Sequence, residues 1–163
     1  MAGYKALFES VMSQETCVYS ISIKTGSRSD AGTDAVVSLK LSNMQDSAIN
    51  IQNLEKYGIM EAGHDYFENN NLDFFNFPGP CLTIPVCYIK LSHDNSGNKP
   101  GWYINYVEIN TAGGSITPTK IRFDVSQWLS DGEPPYQTYT SRDFCADKEK
   151  RSAGIESVVD VAI

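Results

Sequence analysis

The 163-residue sequence has no apolar run approaching the ~20 residues a membrane-spanning helix needs. Its four cysteines form no C-x-x-C pair, and its only two histidines, His64 and His93, stand in no zinc-ligand spacing with them. That argues against structural zinc. Basic residues are scarce. Thirteen Lys and Arg face 20 Asp and Glu, for a net charge of −7, so the chain lacks the cationic clusters that drive nucleic-acid binding. The same deficit opposes simple adhesion to anionic lipid, although a divalent cation would reverse that locally. N-x-[ST] glycosylation sites, internal repeats and low-complexity segments are also missing. The opening residues "MAGYKALFESVMSQET" carry Lys5 but no continuous apolar stretch of the secretory type.

What is present suits one globular domain: 41% hydrophobic and 20% charged residues can build a core. Cys17, Cys81, Cys87 and Cys145 make an even count. One reading is two disulfides, Cys17–Cys145 near the domain ends and Cys81–Cys87 across a short loop. The other is four buried thiols packing as small hydrophobes.

Tyr4, Leu7, Phe8, Val11 and Met12 recur at helical spacing and predict an amphipathic helix over 1–16. From residue 17 the period becomes two. "CVYSISIKT" alternates, "DAVVSLKLS" follows a polar loop, and Ile49, Ile51 and Leu54 suggest an edge strand and a helical turn. "LDFFNF", "CLTIPVCYIKLSHD" and "GWYINYVEIN" are β-rich, and "SITPTKIRFDVSQWLS" supplies a further strand that turns away over Ser126–Ser130. Short strands at about 8–12-residue spacing between Gly, Pro, Asn and Asp indicate an all-β sandwich.

The segments "YSISIKTGSRSDAGTDAVVSLKL", "DYFENNNLD" and "IKLSHDNSGNKPGWYINYVEI" resemble the PLAT (lipoxygenase-homology) domain. Its pattern is a strand ending in Thr-Gly, a Gly-Thr-Asp opening the next, an F-E-x-x-x-x-D segment and H-D-N-x-G-x-x-P-G-W before a long strand. The resemblance covers about residues 17–145 and is greatest to stand-alone plant PLAT proteins associated with stress, whose pattern also includes the four cysteines. It implies an eight-stranded antiparallel β-sandwich of two four-stranded sheets, with Trp102 capping one end of the core. With the helix read from periodicity, the chain divides into that helix at 1–16, the sandwich at 17–145 and a tail at 146–163.

Three loops carry carboxylates: Asp30 and Asp34, then Asp65, Glu68 and Asp73, then Asp94. In the topology the resemblance implies, these loops meet at one end. Calcium takes 6–8 oxygens, and the expected ligands are Asp34, Glu68, Asp73 and Asp94 with the backbone oxygens of Gly26 and Thr33. Lipoxygenase and toxin PLAT domains use calcium to engage membranes. The apolar contacts expected here are Tyr57, Ile59, Met60, Tyr66 and Phe67. The resemblance therefore implies a non-catalytic module for a lipid or membrane surface. Two alternatives are a module that docks a protein partner and a PLAT fold recruited as a small-molecule enzyme with a loop-end pocket. No catalytic residues are assigned: a nucleophile needs a base beside Ser or Cys, and the resemblance places both histidines in loops that the family uses structurally or for metal.

Two features depart from the family pattern. The helix at 1–16 stands where the stress proteins carry a secretion signal, and the tail ends in Ile155, Val158, Val159, Val161 and Ile163. Exposed, such a tail is a liability, so burial or homodimerisation is expected. By resemblance the protein belongs to the secretory pathway, and to the cytoplasm if no signal has been removed.

Overall fold

A computed structural model describes residues 15–45 and 47–145. The helix expected over 1–16 lies outside the described residues except for Glu15 and Thr16, and the 146–163 tail lies outside them entirely. Thr16 opens a strand rather than closing a helix. The eight strands are β1 (Thr16–Thr25), β2 (Val37–Asn43), β3 (Ala48–Ile51), β4 (Leu72–Pro80), β5 (Val86–His93), β6 (Trp102–Gly113), β7 (Thr119–Leu129) and β8 (Tyr139–Asp143). A short 3-10 turn, Leu54–Tyr57, precedes the long connection to β4.

The strands form two antiparallel four-stranded sheets, β4-β1-β6-β7 and β3-β2-β5-β8. Alternation decides which face each buries. Tyr19, Ile21 and Ile23 of β1 point inward with Ile104, Val107 and Ile109 of β6, and meet Leu39, Leu41, Ile89 and Leu91 of the other sheet. Each large apolar side chain so buried contributes about 1.5–3 kcal/mol.

β7 does not turn away at Ser126. That residue takes φ 46°, and the β6–β7 register shifts beside it between Ile104 and Tyr106. The strand then resumes, pairing Gln127, Trp128 and Leu129 with Ile104, Tyr103 and Trp102. The irregularity is a bulge, which interrupts a ladder without ending it.

Both expected disulfide pairings are corrected. The bridges are Cys17–Cys81 and Cys87–Cys145, with Cα separations of 4.9 and 5.2 Å. Cys17 opens β1 and Cys145 follows β8, so they belong to different sheets; Cys81 and Cys87 flank the crossover from β4 to β5, which also changes sheets. Stacked sheets lie ~10 Å apart, beyond disulfide reach. Neighbouring strands within a sheet are close enough. Cys17 pairs with Gly79, two residues before Cys81, and the Phe144 N–H donates to the Cys87 carbonyl next to Cys145.

Candidate cation site at the loop end

Four connections gather at one end of the sandwich: 26–36, 58–71, 94–101 and 130–138. Backbone bonds lace them together. Asn70 N–H donates to the Gly26 carbonyl, Thr33 N–H to Phe67, Tyr103 N–H to Ala31, Asp94 N–H to Val36 and Ser130 N–H to Gln137. Trp102 is fully buried beneath them. Its indole N–H donates to Thr25 Oγ1 at 2.9 Å, and its ring meets the edge of Phe67 at 5.1 Å.

The sequence around residue 67 folds against its own preference. Phe67 has φ 62°, a left-handed conformation that is an outlier for a bulky residue. Three contacts hold it there. Its N–H donates to Asp73 Oδ2 at 2.7 Å, its carbonyl accepts from Thr33, and its ring stacks on Phe75. The result turns the Phe67 ring into the core and leaves Glu68 at the rim. Gly32 makes the close approach of the two loops possible, since a Cβ there would lie 2.9 Å from the Phe67 carbonyl oxygen. Gly97, at φ 85°, allows the third loop to abut Asp34 in the same way.

Asp34, Asp65 and Glu68 thereby converge, each offering an oxygen within 4.8 Å of the others. A cleft of about 270 Å3 borders the group, lined by Asp30, Thr33, Asp34, Glu68, Asn98 and Lys99 among others. Partial burial raises the Glu68 pKa above its ordinary 4.5, and the neighbouring Asp65 and Asp34 carboxylates push it the same way. A carboxyl with a raised folded-state pKa holds its proton more tightly folded than unfolded. Stability is therefore lost as pH rises through that pKa, and the ionised cluster is left under mutual repulsion.

The other expected ligands have different positions. Asp73 is fully buried with both oxygens engaged, by Phe67 N–H and by His64 Nε2 at 2.6 Å. Asp94 Oδ1 accepts from Val36 N–H, Ser96 N–H and the Ser96 hydroxyl, forming the turn after β5. The Gly26 carbonyl accepts from Asn70, whereas Thr33, whose hydroxyl donates to Pro100 O, lines the cleft with Asp34 and Glu68. Asp65, on the second loop, supplies the third carboxylate instead.

The expected apolar contacts are also redistributed. Phe67 is 1% exposed and belongs to the core, so it has no surface to offer. Tyr57 packs on Phe77, while Tyr66 accepts from Met60 N–H and packs on Phe75. Met60 is half-buried, whereas Ile59 is 56% exposed. Sequence reasoning missed Tyr136, which is 63% exposed on the β7–β8 connection. The Pro-Pro-Tyr run was the available signal.

His64 meets a carboxylate at each ring nitrogen, Asp73 at Nε2 and Glu61 at Nδ1, 3.1 Å away. The Asp73 hydrogen bond is the main cause that raises its pKa above 6.5. The stabilisation from charged His64 is complete below its unfolded value and is lost as pH rises through the higher folded value. Wild type should therefore exceed His64→Gln in Tm most at about pH 5.5, with the gap narrowing towards about pH 9. Melting curves across that range check this, and a pH-independent gap would contradict it. His93 is buried, donating from Nε2 to Leu129 O and accepting Asn95 N–H at Nδ1. Both histidines brace loops.

The PLAT/LH2 domain family model matches residues 19–142. The chain is 41% identical to PLAT domain-containing protein 2 of Arabidopsis thaliana over 139 residues, covering 85% of this chain and 76% of that protein. It is 32% identical to lipoxygenase homology domain-containing protein 1 of Mus musculus, over 89% of this chain and 7% of that protein. Among solved structures it resembles a coral 8R-lipoxygenase described as activated by calcium via a C2-like domain. There the TM-score is 0.58 and the identity 19%, over 77% of this chain and 16% of the enzyme. A calcium-dependent 11R-lipoxygenase matches with TM-score 0.55 and 20% identity, over 87% of this chain and 21% of the other. At these identities the two lipoxygenases speak to the fold.

Proposed function

The chain belongs to the PLAT/LH2 domain family, and on that premise we propose that it is a non-catalytic module that binds an anionic lipid surface when calcium occupies the Asp34–Asp65–Glu68 cluster. The observation that carries this reading is the convergence of those three carboxylates at the loop end. Their chemistry fits the ion, because calcium takes hard oxygen ligands in a flexible shell. The raised Glu68 pKa marks where a positive charge would relieve repulsion. Two lipoxygenases that share the fold are described as calcium-activated or calcium-dependent.

Calcium would also relieve, locally at the loop end, the negative charge that opposes an anionic surface. Tyr136 and Ile59 supply exposed apolar side chains on the loops that would face it. The two disulfides suit an oxidising compartment, so the same reading places the protein in the secretory pathway.

Co-sedimentation with vesicles of phosphatidylserine and phosphatidylcholine tests this. Binding is expected in calcium and lost in EDTA, in magnesium and in Asp34→Asn. Tyr136→Ser should weaken it by about tenfold, the scale of losing one buried aromatic contact. Equal sedimentation in calcium and EDTA would contradict the proposal.

A further inference from the structure

The outer face of the β3-β2-β5-β8 sheet carries a hollow of about 320 Å3, lined by Ser38, Lys40, Asn50, Gln52, Lys90 and Ser92 among others. The register sets Lys40 directly opposite Lys90, with Asn50 on the other side of Lys40. Side chains paired in this way stand roughly 5 Å apart at Cβ, and like charges there are destabilising. The chain has 20 acidic residues to 13 basic ones, yet no Asp or Glu lines this hollow. Elsewhere on the strands, Lys24, Lys120, Arg122 and Arg142 each engage a protein oxygen. Among the described residues, neither Lys40 nor Lys90 has a hydrogen bond or an ion pair from its ammonium group. Lys90 Nζ rests 5.0 Å from the centre of the Tyr139 ring, which orients the charge without cancelling it. Two such ammonium groups on neighbouring strands call for an anion.

We propose that this hollow binds a phosphate monoester carried on a polyol, with Lys40 and Lys90 on the phosphate and the Ser, Asn and Gln side chains on the polyol hydroxyls. A monoester carries close to two negative charges at neutral pH, which matches the lysine pair. Lysine meets phosphate as a point charge, whereas a carboxylate is best held by the planar fork of Arg. No Arg lines the hollow. Ser38 and Ser92 share one hydrogen bond, Oγ to Oγ at 2.8 Å, so one hydroxyl hydrogen is left to donate. The same chemistry occurs in a free polyol phosphate and in a phosphorylated inositol lipid headgroup. Neither source requires the acidic loops, whose carboxylates lie outside this face.

The full chain is titrated by calorimetry with inositol monophosphate, inositol and glucuronate, in EDTA so that the acidic cluster plays no part. Inositol monophosphate should bind about tenfold more tightly than glucuronate, which brings a single charge, and inositol should give no heat. Lys40→Gln and Lys90→Gln should each weaken binding about tenfold, the scale of one charge-assisted contact. Lys120→Gln, on the other sheet, should leave it unchanged. Lys40→Glu should abolish binding and raise Tm, because it turns a repelling pair into an attracting one. Sedimentation in EDTA with phosphatidylcholine vesicles containing phosphatidylinositol phosphate separates the two sources. Retention that inositol monophosphate competes away assigns the site to a lipid headgroup, and soluble binding without retention assigns it to a free polyol phosphate. Absence of binding in both arms, equal binding of glucuronate and inositol monophosphate, or full binding by Lys40→Glu would each overturn the proposal.

Discussion

Replacing Cys17 and Cys81 together with alanine is expected to lower stability by about 4 kcal/mol, the chain-entropy value for a bridge spanning 64 residues. In a domain of this size the Tm should fall by about 10 °C or more. The double replacement leaves no unpaired thiol from that bridge and keeps Cys87–Cys145 intact. The bridge ties edge strand β4 to β1 where the two strands begin and end, so its loss should loosen that edge first. Urea unfolding of oxidised protein gives the magnitude, and non-reducing peptide mapping gives the connectivity. A loss below about 1 kcal/mol would be surface-like and would contradict the account, as would a peptide joining Cys17 to Cys145.

Trp102→Ala should cost about 3–5 kcal/mol, as expected when a buried aromatic is cut back to a methyl group. The indole fills the space under the loops, caps the Thr25 hydroxyl and supports Phe67. Phe67 in turn carries Glu68, so the same substitution should weaken calcium binding at a distance from the carboxylates. Trp102→Phe retains most of the apolar body but leaves Thr25 Oγ1 without its indole donor, for about 1–3 kcal/mol. Urea unfolding of the two variants separates packing from hydrogen bonding. Equal losses in both would show that packing under the loops is not what Trp102 supplies.

The sandwich was legible because alternation is a local signal. Tyr19, Ile21 and Ile23 announce a buried face without reference to any other strand. Strand order is not local, and the cysteine pairing failed there: nothing near Cys17 shows that β4, not β8, runs beside it. Likewise, nothing around Ser126 distinguishes a bulge from a turn, because the difference lies in whether β6 waits to pair beyond it.

The candidate site divides in a similar way. Its loops were legible from the clustered acidic residues, and Asp34 and Glu68 do converge. The place of Asp73 could have been read from its spacing, since it shares the inward face of β4 with Phe75. A carboxylate in that row must be satisfied internally, and His64 and Phe67 N–H satisfy it. Asp94 sits at the start of an Asx turn whose bonds were predictable from Asp-Asn-Ser-Gly. Phe67 gave no such warning, because the positive φ that buries its ring is imposed by contacts from residues 33 and 73.

Calorimetric titration of the full chain with calcium, paired with melting curves, tests the central claim most directly. The account predicts one site, with stability rising by RT ln(1 + [Ca]/Kd), about 2.7 kcal/mol at one hundred times Kd, and Tm rising with it. Glu68→Gln should be the distinctive variant. Without calcium at neutral pH it should be more stable than wild type, because one of three repelling charges is gone. With calcium it should gain little. Asp94→Asn should keep the calcium response while weakening its turn. A wild-type chain giving no heat and no Tm shift in several millimolar calcium would contradict the account, as would a calcium response lost in Asp94→Asn but retained in Glu68→Gln.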